Sequence, residues 1–105
     1  MAEYVLVYKG GNKVPEGEAE QQRVAAAWGK WFADLGDKVV NNGAPFGESK
    51  VVGSGGEVGG SSDMGLSGFS IVEADSLDEA VELAKGCPVL GGGASIEVYS
   101  TIVMM

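Results

Sequence analysis

Hydrophobic and polar positions change period several times along the chain. Residues 3–8, Glu3-Tyr-Val-Leu-Val-Tyr8, are mostly aromatic and β-branched, which predicts a strand. Tyr4, Leu6 and Tyr8 fall on one face and Val5 and Val7 on the other, so both faces call for cover. Gly10-Gly11-Asn12 ends the strand, and a polar loop with Pro15 and Gly17 follows. From about Glu18 the period turns helical. Val24, Ala27, Trp28, Trp31 and Leu35 recur at three- and four-residue steps, and Phe32 widens the stripe. Glu16, Glu18 and Glu20 suit the positive end of the helix dipole, and Gly36 suits its C-cap. Gly29 costs about 1 kcal/mol against alanine inside a helix, which implies a neighbour packed closely over it.

Lys38-Val-Val-Asn41 reads as a short second strand. Residues 43–68 are rich in glycine and serine, with strand-like pieces only at Val51-Val52 and Glu57-Val58. A long hairpin arm or a partly mobile loop, most open over 53–66, fits that composition. Gly68 to Ala74 is the next clear strand. Ser76 and Glu79 form a capping box that opens a second helix, with Leu77, Ala80, Val81 and Ala84 as its buried stripe. Gly86 and Pro88 stop it, and Gly91-Gly92-Gly93 makes a bend. Ser95 to Val103 closes the chain as a strand, with Ile96 and Val98 on one face and Glu97, Tyr99 and Thr101 on the other.

This order predicts one α+β domain over residues 1–105, a ferredoxin-like βαββαβ sandwich with both helices on one sheet face. The other face would carry exposed apolar side chains. A second copy of the same sheet is the simplest cover, which predicts a homodimer.

Composition narrows the chemistry. The chain has 105 residues, fifteen acidic and seven basic, for a net charge of −8, and no histidine. Imidazole bases, histidine metal ligands and Ser-His or Cys-His pairs are therefore excluded. The single cysteine, Cys87, allows no intrachain disulfide or multi-cysteine metal site. The acidic balance argues against a nucleic-acid partner. No apolar run approaches the roughly 20 residues of a membrane span, and the first apolar run is too short for a signal peptide. The expected location is cytoplasmic, with no cofactor and no membrane partner.

Ser67-Gly-Phe-Ser-Ile-Val-Glu-Ala-Asp-Ser-Leu-Asp-Glu-Ala-Val-Glu-Leu-Ala-Lys-Gly-Cys-Pro88 resembles the signature of the YCII-related proteins, especially the subgroup named for its DGPF motif. The shared features are the Gly-Phe strand, the Ser-Leu-Asp-Glu-Ala helix start and the Cys-Pro helix end. Gly43-Ala-Pro-Phe-Gly-Glu-Ser-Lys50 is similar to the DGPF segment, with alanine in place of its aspartate. The opening strand with Tyr4 and Tyr8 and the closing strand with Glu97-Val98 sit where the family has its own. The resemblance implies a ferredoxin-like fold and a dimeric α+β barrel. It implies little about activity, since most of the family has no assigned reaction. Some members carry a His-Asp pair proposed as catalytic. Asp34 falls at the aspartate position, but Val24-Ala25 falls where the histidine would be, so the pair is half missing. Some DGPF members are linked with sigma factors, which implies a regulatory alternative.

Two carboxylates stand out as catalytic candidates. Asp34, with Asp37, flanks a helix C-terminus, whose dipole disfavours negative charge; a solvated helix-end loop is the alternative. Glu73 shares an otherwise apolar face with Phe69 and Ile71, unless it marks the wet end of its strand. Tyr8, Trp28, Glu97 and Tyr99 are candidates to contact a small-molecule ligand. Trp28, Trp31 and Phe32 could equally be core, and Tyr4 and Tyr8 ordinary sheet packing. Cys87 reads as a small buried residue away from any base. The glycine runs at 53–56 and 91–93 lack the strand–loop–helix setting of a phosphate loop. Two functions follow: a homodimeric module that binds a small molecule or a protein without catalysis, or a carboxylate acid–base enzyme using Asp34 or Glu73.

Overall fold

A computed structural model describes residues 2–10 and 17–102. The loop with Pro15, Glu16 and the strand end at Val103 lie outside the described residues. Four strands and two helices follow one another as β1 (Ala2–Lys9), α1 (Glu18–Leu35), β2 (Val39–Pro45), β3 (Leu66–Ala74), α2 (Leu77–Ala84) and β4 (Ser95–Ser100). Short 3-10 turns at Gly36–Lys38 and Pro88–Gly92 lead into β2 and towards β4. The strands form one sheet in the order β2-β3-β1-β4, with every neighbouring pair antiparallel. This is the ferredoxin-like α+β arrangement expected from the sequence.

Alternation along β1 sorts the sheet into two faces. Tyr4, Leu6 and Tyr8 are buried, and beside them lie Val72 and Ala74 of β3. Trp31 of α1 and Ala80 and Ala84 of α2 complete this core, so both helices cover the same face. Trp31 is its main pin, and its indole N–H donates to the Leu83 carbonyl of α2 at 3.2 Å. Val5 and Val7 face the other way, paired across the ladders with Ile71, Phe69, Tyr99 and Glu97. No element of the described chain covers that face. Val5, Val7, Phe69 and Ile71 are each left half-buried.

Several local expectations change. Only the second half of α1 packs. Val24 and Ala27 are exposed, because the first turns of the helix stand off the sheet. Nothing lies within 4 Å of a side chain built at Gly29, so no close packing explains that glycine. Gly36 does terminate α1, with φ of 57° and its N–H bonded to the Phe32 carbonyl. In α2 the stripe is narrower than its sequence pattern, since Leu77 and Val81 are exposed. Half of the capping box is present: the Ser76 hydroxyl accepts from the Glu79 N–H at 3.1 Å. Such a cap contributes about 1 kcal/mol. The Glu79 carboxylate meanwhile lies 3.7 Å from Lys38 Nζ.

β2 runs four residues beyond the predicted strand, through Pro45. The arm that follows carries a single bridge between Val52 and Val58, on the two strand-like pieces read from the sequence. Phe46 sits at the base of this arm, its ring stacked on Phe69 at 5.9 Å and its N–H bonded to the Ser67 carbonyl. No helix among the described residues is long and apolar enough to cross a membrane.

Candidate functional site

A cavity of about 530 Å³ opens between the lifted end of α1 and the edge formed by β2 and β3. Its walls follow from the local structure. Ala25, Trp28 and Phe32 come from successive turns of α1, and residues 42–45 of β2 also line the cavity. Val89 closes one end from the 3-10 turn. Tyr8 and Ser70 form the polar part of the floor, and Gly68 lies beside them.

The aromatic wall is a continuous array. Trp28 meets Tyr8 edge-on at 5.5 Å and Trp31 edge-on at 5.8 Å, and lies tilted against Phe32 at 5.9 Å. Trp31 and Phe32 are 5.0 Å apart. Trp31 is therefore core, whereas Trp28 and Phe32 are half-buried and shared between core and cavity. Gly68 keeps the floor open: a side chain there would press on the Ala44 carbonyl and, at 3.3 Å, on the Tyr8 ring.

At the floor the Tyr8 hydroxyl donates to Ser70 Oγ at 2.6 Å, and the Ser70 hydroxyl donates to the Asn42 carbonyl at 2.8 Å. The Cys87 thiol, buried at the end of α2, lies against the same phenol. Burial pushes the Tyr8 phenol above its ordinary range, with Cys87 adding to the rise and Ser70 opposing it. Burial likewise pushes the Cys87 thiol up. The phenol is thus a neutral hydrogen-bonding group at physiological pH. Cys87 is buried as its sequence reading expects, and its neighbour is a neutral phenol rather than a base. Its contact with Tyr8 spans nearly the whole chain and leaves no local signal.

These raised values predict how stability responds to alkali. A buried acid resists ionisation in the folded state, so its contribution is full below the unfolded value and is lost as pH rises towards the folded one. Loss of stability is expected as pH passes the ordinary values of 9.0 for cysteine and 10.0 for tyrosine. Thermal unfolding followed across that range should show a shallower decline above pH 10.0 for Tyr8→Phe. Parallel curves for the two proteins would refute the assignment to Tyr8.

The other candidates lie elsewhere. Asp34 is exposed on α1, 3.3 Å from Lys30 Nζ one helical turn away, and does not line the cavity. An exposed pair of this kind contributes only a few tenths of a kcal/mol. Asp37 is exposed in the 3-10 turn. Glu73 is half-buried on the uncovered sheet face, directly across from Glu3 near the end of both strands. Glu97 and Tyr99 occupy the same face on β4 and hydrogen-bond to each other, which raises the Tyr99 phenol. The six candidates thus divide. Tyr8 and Trp28 meet at the cavity, Glu73, Glu97 and Tyr99 lie across the sheet from it, and Asp34 lies apart. Ser70 and Phe32 complete the site; Ser70 was overlooked because a serine within a strand carries no pattern. Among the described residues, no three metal-ligating side chains come together.

A second, shallower groove of about 310 Å³ lies between α2 and β4, lined by Leu77, Val81, Leu90, Ile96 and Val98 among others. It contains no hydrogen-bonded polar floor comparable to the Tyr8–Ser70 pair.

No protein-family model matches the chain, and no curated protein matches it. Among solved structures, it is similar to the 5-chloro-2-hydroxyhydroquinone dehydrochlorinase TftG from Burkholderia phenoliruptrix AC1100, described as a complex with 2,5-dihydroxybenzoquinone. The two are 21% identical over 91% of this chain and 89% of that one, with a TM-score of 0.52. The likeness is one of fold, and it agrees with the βαββαβ architecture described above.

Proposed function

We propose that this chain is a single-domain, YCII-type module of the DGPF kind that works as a cytoplasmic homodimer and binds a small planar aromatic molecule in the cavity beside Trp28. The observation that carries this reading is the cavity itself: an apolar space walled by Trp28 and Phe32, with one buried hydroxyl pair at its floor. Mostly apolar walls with a few convergent polar groups are the usual design of a small-molecule site. The structural neighbour's association with a six-membered dihydroxyquinone gives the same direction for ligand shape. Titration with simple phenols should quench the emission of Trp28, and Trp28→Phe should abolish that response. Unchanged emission at millimolar phenol would end the reading.

The homodimer is supported by the uncovered face with Val5, Val7, Phe69 and Ile71. Light scattering after size exclusion should give twice the chain mass of 10.7 kDa at micromolar concentration. A mass of one chain there would remove this part of the proposal.

A second reading, an acid–base enzyme, is favoured by one observation: the neighbour of the same fold is named as a dehydrochlorinase. Of the two carboxylates considered for proton transfer, Glu73 lies on the face offered to a second copy and Asp34 is solvent-exposed. Glu73 is therefore the better candidate, and it would act only at a dimer interface.

A further inference from the structure

The arm between β2 and β3 is the least self-sufficient part of the chain. Seven of its twenty residues, 46–65, are glycine, so ordering it costs more backbone entropy than an ordinary hairpin. Its backbone is joined to itself by a few bonds, chiefly the Val51 N–H to the Gly60 carbonyl, the Gly59 N–H to the Val51 carbonyl and the Gly53 N–H to the Glu57 carbonyl. A two-stranded hairpin with nothing packed against it is marginal in water. Yet its side chains are not those of a solvated loop. Val52 and Val58, which meet at the bridge, are each 66% exposed, and Phe46, Val51 and Met64 are exposed as well. No residue of the arm belongs to the core.

The base of the arm adjoins the uncovered sheet face, because Phe46 stacks on Phe69 of that face. The face cannot hold a stable dimer unaided. A standard interface buries about 800 Å² on each partner. Val5, Val7, Phe69 and Ile71 are already half-buried, and even a whole large aromatic side chain supplies only about 150–250 Å². Beside them on the same face lie Glu3, Glu73 and Glu97, which add no apolar area. The missing apolar surface is on the arm, continuous with the face through Phe46. The shape of the chain leaves the arm free to supply it. The protein is a plate of 43 by 42 by 18 Å, and its radius of gyration is 15.3 Å, against about 13 Å for a compact chain of this length.

We propose that residues 46–65 form a clasp: in the homodimer the arm lies against the second copy of this chain, with Val52 and Val58 as its anchors. This rests on the homodimer proposed above and names the surface that holds it.

Light scattering after size exclusion, on the full native chain and on the double variant Val52→Glu, Val58→Glu, tests this. The native chain should run as a dimer. The variant should show a dissociation constant raised about a hundred-fold or more, as for loss of two central apolar anchors. Its far-UV circular dichroism should match the native spectrum, since both positions are exposed and outside the core. Hydrogen exchange of the native protein gives a reading that needs no variant. The Val51, Gly53 and Gly59 amides should exchange slowly in the dimer and faster on dilution below its dissociation constant. A variant as dimeric as the native chain, or arm amides that exchange equally at both concentrations, would overturn the clasp and leave the homodimer in place. A native chain with the mass of one copy would instead remove the homodimer on which the clasp rests.

Discussion

Replacing Gly43 with alanine should destabilise the fold by about 3 kcal/mol or more, one of the largest single-residue effects expected in this chain. Two independent costs act at this position. Gly43 has φ of 78°, a region that side-chain-bearing residues rarely adopt. A Cβ built there would also overlap the Phe69 carbonyl oxygen and press on Ser70 Cα. Neither neighbour can withdraw, because both belong to the backbone of β3, the strand paired with β2 and β1. Relief would require β2 to peel from β3, opening the cavity wall and breaking the Ser70–Asn42 hydrogen bond. Denaturant titration with paired wild-type and variant protein measures the change. A loss below 1 kcal/mol would mean that β2 is held far more loosely than this close approach requires. Gly29→Ala supplies the contrast. Its site is open and helical, so it should gain up to about 1 kcal/mol.

Trp31→Ala should cost about 3–5 kcal/mol, the range for removing a large aromatic from a core. The indole is only 6% exposed, and it joins α1 to α2 through packing and through its bond to the Leu83 carbonyl. Gly86 approaches the same ring closely enough that a side chain there would stand 3.3 Å from it. Trp31→Phe should keep most of the apolar contact and lose the hydrogen bond, for about 1 kcal/mol beyond the smaller ring volume. Trp28→Ala should cost less than Trp31→Ala, since Trp28 already borders open space. If the two tryptophans proved equally costly, the cavity would not separate them as described.

Much of the fold was legible because the strong signals are local. The unbroken run at 4–8, the Ser76 cap and the Gly36 stop each depend on residues within a few positions, and each formed the element it predicts. The errors came where tertiary context decides. Val24 and Ala27 share the helical period of Trp31, yet period cannot show that the helix leaves the sheet before reaching them. The site was half legible for the same reason. Trp28 and Tyr8 drew notice as aromatics on the right faces. Ser70 and Cys87 reach Tyr8 only through strand pairing and the end of α2, a long way along the chain. Asp34 and Glu73 stand out by a helix-end position and by strand alternation, neither of which shows where the cavity forms, and the cavity is lined by neither of them.

The central claim is that the cavity beside Trp28 is the binding site. The two indole N–H signals in a proton–nitrogen correlation spectrum test it most directly, since the chain has two tryptophans, one at the cavity and one in the core. Addition of 4-methylphenol should move the Trp28 signal progressively and leave that of Trp31, fixed to the Leu83 carbonyl, nearly in place. A Trp28 signal that stays still while residues of the Leu77–Val81 groove move would contradict the account.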